Sequence, residues 1–150
     1  MRFVIRLLVI YGAALSINYG WEMLQMPFYE NMSFTDPDSY LQCLWASFGD
    51  ANIVISLYGF GLLVFRDWRW PLSPSLCKFA YLIATGGGIA VLIELRALGA
   101  GRWSYSSPMP LIPLLRVGAV PFAQLIILPY LTYLLVCRAS LFRSRPAMHE

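Results

Sequence analysis

Charged residues are scarce in this sequence. Asp, Glu, Lys and Arg make up 13% of its 150 residues, while hydrophobic residues make up 59%. An ordinary soluble domain is about a quarter charged. A chain of this length forms one domain, and lipid rather than a large core accounts for its surplus of apolar surface. The composition therefore excludes an ordinary soluble protein and predicts a single integral membrane domain.

Residues that commonly hold metals or haem are also few. The only histidine, His149, lies at the extreme C-terminus, which excludes paired axial histidines and argues against histidine-based metal sites. Cys43, Cys77 and Cys137 are far apart and include no Cys-x-x-Cys, so quinone-linked disulfide exchange is not expected. The sequence has no Gly-rich phosphate loop, nucleophile elbow or basic groove. We therefore predict no metal, no cofactor and no nucleic-acid partner.

Four apolar segments are long enough to cross a bilayer as helices. They cover residues 3–28, 40–65, 75–98 and 117–137. For the first segment, a cleaved signal peptide is the rival interpretation, because a basic start precedes a short apolar core and the small-residue sequence at 14–16. Hydrophobicity continues beyond that site, which favours a full span. The sequence predicts an all-α protein, a bundle of four transmembrane helices in one domain.

Basic residues are concentrated in three of the five regions outside these spans. The N-terminus, the second connection and the C-terminal tail hold eight of the eleven Lys and Arg: Arg2, Arg6, Arg66, Arg69, Lys78, Arg138, Arg143 and Arg145. Basic residues flanking membrane helices favour the cytoplasmic side. Both termini are therefore predicted to be cytoplasmic, most simply in a bacterial inner membrane.

A polar stripe interrupts the first apolar segment. Its members, Asn18, Glu22, Gln25 and Tyr29, follow i, i+4, i+7 and i+11 spacing, which places them on one face of a helix. Polar and ionisable side chains within a membrane rarely face lipid. The stripe is therefore expected to face protein, water or a ligand.

The predicted topology places polar residues of all four helices at one depth. Glu22, Asp50, Glu94 and Gln124 each fall roughly 6–14 Å below the outer surface, at a rise of 1.5 Å per residue. A charged carboxylate near a helix centre costs about 2.5–3.5 kcal/mol. The carboxyls are therefore expected either to be compensated by Arg96 or Arg102 or to stay protonated, because desolvation disfavours the charged form.

This polar layer has two interpretations. It forms a functional pocket, in which a protonated carboxyl is a proton donor, or it forms a structural network between helices. The structural interpretation suits Asn18, Asn52 and Gln124 taken singly, since amides make ordinary interhelical hydrogen bonds.

Glycine and proline mark further positions. The triple glycine at 86–88 predicts close helix packing, and Pro121 and Pro129 are each expected to remove a backbone hydrogen bond from the fourth helix. The connection at 99–113 is either a lid folded over the bundle or an interfacial loop anchored by Trp103 and Tyr105.

A family resemblance begins at Glu94. This residue and the later Gly101-Arg102-Trp103-Ser104-Tyr105 resemble the "acidic residue, short spacer, Gly-x-Trp-x-Tyr" pattern of membrane lycopene cyclase domains and related hydratases, over 12 residues of the chain. The resemblance implies protonation of a polyene double bond by buried carboxyls. The acidic pair of the cyclases has no counterpart at 121–124, which reads Pro-Phe-Ala-Gln. The whole chain also resembles bacterial inner-membrane proteins with Trp-Glu-x-x-Gln-x-Pro and Trp-x-Tyr-x-x-x-Met-Pro signatures, and that resemblance implies no activity.

Three functions stay open. The first is a protein that binds or transforms an apolar isoprenoid-like lipid, quinone or pigment entering from the outer leaflet, with Glu22, Asp50 and Glu94 as acid, base or cation stabiliser. The expected ligand-binding residues are Asn18, Trp21, Gln25, Trp103, Tyr105 and Gln124, whose aromatic members can shield positive charge. The second is a non-catalytic accessory or assembly subunit of a larger membrane complex. The third is a proton-coupled transporter.

Overall fold

The computed structural model describes residues 2–73 and 75–143. The predictions that involve Arg145 and His149 lie outside the described residues. The described chain forms five α-helices and no β-strand: α1 (Arg2–Gln25), α2 (Pro37–Phe65), α3 (Leu76–Leu82), α4 (Gly88–Gly99) and α5 (Ala119–Arg143). A π-helical turn at Ile83–Gly87 joins α3 to α4, so these two helices form one continuous span.

Four helical units are long and apolar enough to cross a membrane. They are Phe3–Phe28, Pro37–Phe65, Leu76–Gly99 and Ala119–Ala139. The prediction of an all-helical protein with four membrane-spanning helices is confirmed, and the chain is an integral membrane protein.

Two helices extend beyond their expected ranges by three residues or more. Helix α2 begins at Pro37 rather than at residue 40, because the Asp36 side chain caps it, accepting a hydrogen bond from the Asp38 backbone N–H at 3.1 Å. Helix α5 continues to Arg143 rather than ending at residue 137. Residues 138–143 contain no Gly or Pro that would end a helix.

Helix α5 is the most buried of the four spans and contacts α1, α2, α4 and the π-helical turn. Helix α1 packs between α2 and α5. We call the end that carries the connections at 26–36 and 100–118 the upper end. The lower end carries the connection at 66–75.

The lower half of the bundle is filled by aromatic side chains. Tyr58, Trp70 and Tyr133 are fully buried, with ring centroids 5.4–6.5 Å apart. The Tyr133 hydroxyl donates to the Val54 carbonyl at 2.6 Å, and the Tyr58 hydroxyl donates to the Trp68 carbonyl at 2.8 Å. The hydroxyls of these two tyrosines are therefore satisfied within the protein, and the larger group of buried polar side chains lies in the upper half.

The triple glycine brings the third span close to α5 at two of its three positions. A Cβ on Gly86 would lie 2.2 Å from the Leu125 carbonyl oxygen, and one on Gly87 would lie 3.0 Å from the Phe122 ring, whereas one on Gly88 would meet no atom within 4 Å. The Leu125 carbonyl has no helical donor, because the residue four positions later is Pro129. The close approach of Gly86 therefore uses the carbonyl that this proline frees.

Pro121 behaves differently from what we expected. It lies in the first turn of α5, where backbone N–H groups have no intrahelical partner. The predicted loss of a helical hydrogen bond therefore applies to Pro129 alone.

The connection after α4 folds back over the upper end of the bundle. The Glu30 N–H donates to the Ser104 carbonyl at 2.9 Å, and the Ser106 N–H donates to the Phe28 carbonyl at 3.0 Å. The Ser106 hydroxyl also donates to the Pro27 carbonyl at 2.6 Å. Of the two alternatives for this connection, the structure shows the folded-back one.

Candidate functional site

A cavity of about 810 Å³ lies in the upper half of the bundle. Its volume falls within the range of about 300–1,000 Å³ that is typical of small-molecule sites. Helices α1, α2, α4 and α5 and the two upper connections all contribute to its lining. The polar and aromatic lining residues in the protein interior are Glu22, Gln25, Tyr29, Asp50, Glu94, Trp103, Tyr105 and Gln124.

A cluster of hydrogen-bonded side chains centred on Gln124 forms the floor of the cavity. The Gln124 amide nitrogen lies 2.8 Å from Glu22 Oε1, 2.7 Å from Asp50 Oδ2 and 3.1 Å from Asn18 Oδ1. The Gln124 amide oxygen accepts a hydrogen bond from Gln25 Nε2 at 3.2 Å. We call these five residues the Gln124 cluster. It joins α1, α2 and α5.

Gln124 brings the carboxyls of Glu22 and Asp50 together at a single nitrogen. This amide nitrogen carries two hydrogens but faces three acceptor oxygens. Two ionised carboxylates held at one donor repel each other, and a proton on either of them removes the repulsion and supplies a further donor. The arrangement therefore favours a carboxyl pair that carries one proton.

Glu94 forms a second polar centre on the upper side of the cavity. Its buried carboxylate accepts hydrogen bonds from the Tyr105 hydroxyl and from Trp103 Nε1, the latter at 3.3 Å. The Gly118 N–H donates to the Tyr105 oxygen at 2.8 Å. The ring of Tyr29 packs edge-on against Trp103 and also contacts Tyr105. The connection after α4 thus supplies both donors to Glu94.

The Tyr105 hydroxyl stays protonated at this position. Burial, reinforced by the hydrogen bond to the Glu94 carboxylate, raises the pKa of Tyr105 above its usual value. Tyr105 is therefore a donor to Glu94 throughout the physiological pH range.

Compensation of the carboxyls by Arg96 or Arg102, one of the two alternatives predicted from the sequence, is absent among the described residues. Arg96 and Arg102 are exposed, and Arg102 contributes only to the rim of the cavity. Among the described residues, the donors to the three carboxyls are the neutral side chains of Gln124, Trp103 and Tyr105. Neutral donors, rather than ion pairs, therefore meet the acidic groups.

Seven of the nine predicted site residues line the cavity: Glu22, Gln25, Asp50, Glu94, Trp103, Tyr105 and Gln124. Asn18 and Trp21 lie behind this surface. Asn18 is fully buried and accepts from Gln124, and Trp21 Nε1 donates to the Gln25 oxygen at 3.2 Å. These two residues support the cluster and do not face the cavity.

Several residues that line the cavity were not predicted. On α2 they include Cys43, Ala46 and Ile53, and on α4 they include Ala90 and Leu98. Each lies three, four or seven positions from Asp50 or Glu94 and therefore shares a helix face with one of these carboxyls. Helical spacing could have predicted them.

Asn52 differs from its expected role. Its side chain is exposed on α2, and it makes no side-chain hydrogen bond within the described part of the chain. The interhelical bond predicted for this amide is therefore absent from the described structure.

The cavity opens sideways between α2 and α4. Helix α2 packs mainly on α1, and α4 packs on α5, so the two helices stand apart where the cavity separates them. Trp45 on α2 is 69% exposed and Ile93 on α4 is 38% exposed, yet both line the cavity. Both residues lie within membrane-spanning segments. The slot between α2 and α4 therefore lies along two membrane-spanning segments.

No protein-family model, curated protein or solved structure matches this chain significantly. The resemblances to carotenoid enzymes and to bacterial inner-membrane proteins therefore stay predictions.

Proposed function

We propose that this protein binds an apolar isoprenoid-like lipid in the upper cavity and acts on it through its buried carboxyls. The observation that carries the proposal is the slot between α2 and α4, which leads to a pair of carboxyls, those of Glu22 and Asp50, held at one amide nitrogen. A molecule dissolved in the membrane can reach these acids without crossing water. This placement suits a lipid-soluble ligand such as an isoprenoid, a quinone or a pigment.

The geometry supports acid chemistry on an unsaturated chain. In our proposal the proton held by Glu22 and Asp50 passes to a carbon of a double bond, which leaves a carbocation on the ligand and a carboxylate on the protein. The Glu94 carboxylate and the rings of Tyr29 and Trp103 face the same cavity and stabilise positive charge there. Loss of a proton from the cation back to the carboxylate completes the cycle.

We also propose that the upper end faces away from the cytoplasm, with both termini cytoplasmic, and that the protein resides in a bacterial inner membrane. The support is the excess of basic residues at the lower end. There the Arg6 guanidinium lies 3.6 Å from the centroid of the Trp68 ring, and that of Arg69 lies 4.3 Å from it. Stacked Arg and Trp side chains are typical of a membrane–water boundary.

The proposal is tested by identifying what the protein carries when it is gently solubilised. Native mass spectrometry of the wild type is expected to show a bound apolar molecule of defined mass, which extraction then identifies. In Glu22→Gln and Asp50→Asn, which change the acids but keep their size, we expect ligand occupancy or the ratio of substrate to product to change severalfold.

Asp38→Asn is the matched control for these variants, because Asp38 is an exposed carboxylate at the start of α2, away from the cavity. The ligand occupancy and the ratio of substrate to product in Asp38→Asn are expected to equal those of the wild type. An unchanged profile and unchanged occupancy in both acid variants would contradict the proposal.

The Gln124 cluster also supports a second candidate function, that of a non-catalytic accessory subunit. Each member of the cluster has a hydrogen-bond partner within the protein, as a structural network requires. In that case the exposed aromatic and aliphatic side chains on the outer faces of the helices would contact helices of a partner protein. Stoichiometric protein partners and no bound small molecule in the same mass spectra would favour this function.

A further inference from the structure

We propose that the cavity selects a lipid whose polar end donates hydrogen bonds and is neutral or cationic, such as a long-chain alcohol or amine, and that it rejects lipid phosphates and carboxylates. This inference rests on the proposed function and specifies the ligand class of the same site. It is carried by the charges, donors and acceptors that the cavity presents.

The cavity is strongly biased toward acidic residues. Its lining includes the carboxyls of Glu22, Glu30, Asp50 and Glu94. The only basic lining residue among those described is Arg102, whose side chain is exposed at the rim. Ionisation of any of the deep acids makes the interior negative, because no basic side chain among the described residues lies deep in the cavity. An anionic head group would be repelled in a setting where water does not screen the repulsion.

The donors inside the cavity are already used by the protein. Trp103 Nε1 and the Tyr105 hydroxyl donate to Glu94, and the Gln124 amide hydrogens face the Gln124 cluster. Proteins bind phosphates through Arg or Lys side chains or through several backbone N–H groups. The deep part of this cavity offers no set of that kind among the described residues.

Acceptors, in contrast, are in excess. An ionised carboxylate has about four lone-pair positions, and a protonated carboxyl keeps part of that capacity. The only donor that α5 supplies to the Glu22 and Asp50 carboxyls, among the described residues, is the amide nitrogen of Gln124. A hydroxyl or ammonium group brought to this floor would complete the set of hydrogen bonds. Hydrogen bonds that involve a charged partner are about twice as strong as neutral ones.

The apolar walls fix the direction in which such a ligand lies. Ile53 and Trp45 on α2 face Ile93 and Leu98 on α4 across the cavity. The chain of the lipid therefore lies between these helices and leaves through the slot into the bilayer, while its polar end rests on the Gln124 cluster.

Four probes that share one chain and differ in their polar end test this inference: farnesol, farnesylamine, farnesyl diphosphate and the hydrocarbon farnesene. Each is added at equal concentration to delipidated wild-type protein in an uncharged detergent, and bound stoichiometry is measured by native mass spectrometry. We expect the alcohol and the amine to bind at least about tenfold more tightly than the diphosphate. Amine binding is expected to fall by about tenfold or more in a Glu22→Gln/Asp50→Asn double variant and to stay unchanged in Asp38→Asn.

Diphosphate binding equal to or tighter than that of the alcohol and amine overturns the inference, as does binding of farnesene alone, and both results leave the proposed function standing. Failure of all four probes to bind overturns the proposed function and the inference with it. Should the double variant not fold, the four probes on wild-type protein still decide the question.

Discussion

Gln124 is the residue on which the upper half of the bundle depends most. Its amide meets carboxyl and amide groups from α1 and α2 while its own backbone belongs to α5. Interhelical hydrogen bonds in membrane proteins contribute about 0.6 kcal/mol on average and up to about 1.7 kcal/mol. Because this one side chain lies within hydrogen-bond distance of four side chains on α1 and α2, its loss affects the packing of three helices at once.

Replacing Gln124 by Leu is therefore expected to lower the free energy of unfolding by about 1–3 kcal/mol, since it leaves four buried polar groups with fewer partners. The protein is titrated with dodecyl sulfate from a mild detergent, and the free energy of unfolding is obtained from the loss of helical circular dichroism signal.

Asn52→Leu is the matched control for this substitution, because it also converts an amide to Leu but at an exposed position on α2. It is expected to leave the unfolding free energy unchanged or slightly higher. Equal destabilisation by the two variants would show that the Gln124 cluster contributes nothing to stability.

The sequence predicted most of the polar side chains that line the cavity, because intramembrane polar residues are rare and therefore informative. Helical spacing on α1 and the expected depth of each residue in the bilayer predicted that Glu22, Asp50 and Gln124 lie close together. The sequence did not separate residues that face the cavity from residues behind it. Asn18 and Gln25 share one stripe, but only Gln25 reaches the cavity, since that distinction depends on where α5 packs.

At the scale of elements, the contact between the third span and α5 is closest at the π-helical turn. Gly86 meets the free carbonyl of Leu125, and the distance leaves no room for a side chain. A Cα–H group facing a carbonyl at short range adds a weak hydrogen bond. The contact fixes how α4, which carries Glu94, sits relative to α5.

Gly86→Ala is expected to destabilise the protein by about 1–3 kcal/mol, because the new methyl group meets rigid backbone and the helices must move apart. The check is the midpoint of thermal unfolding in detergent, with Gly88→Ala as the control. Gly88 has no atom within 4 Å of its would-be Cβ, so alanine there should be neutral or mildly stabilising. Equal midpoints for the two variants would rule out the close contact at Gly86.

The sequence predicted the number of helices well and the connections poorly. Apolar runs define membrane helices because lipid requires about 20 apolar residues. The folded-back connection depends instead on backbone hydrogen bonds between residues 28–30 and 104–106, which are far apart in the chain. The π-helical turn also lacks a local signal, because the glycines at 86–88 permit it without requiring it.

On the scale of the whole molecule, the polar cavity lies entirely toward one end and the aromatic core toward the other. In the orientation that we propose, with the lower end in the cytoplasm, the ligand would enter from the opposite leaflet. The orientation therefore decides which leaflet supplies the ligand.

Cys77 offers a test of this orientation without any added residue. It is exposed near the lower end, whereas Cys43 and Cys137 are buried. A membrane-impermeant maleimide is expected to label the protein in inverted vesicles but not in intact spheroplasts, and Cys77→Ser should abolish the labelling. Labelling of Cys77 in intact spheroplasts would reverse the proposed topology.

The central claim is that the slot between α2 and α4 holds an apolar molecule whose inner end reaches the Gln124 cluster. The most direct measurement is a high-resolution experimental density map of the native protein purified in lipid nanodiscs. The account predicts an elongated density that runs from the bilayer between α2 and α4 to Glu22 and Asp50. A map in which α2 and α4 pack directly against each other along their upper halves, with no cavity between them, would contradict it.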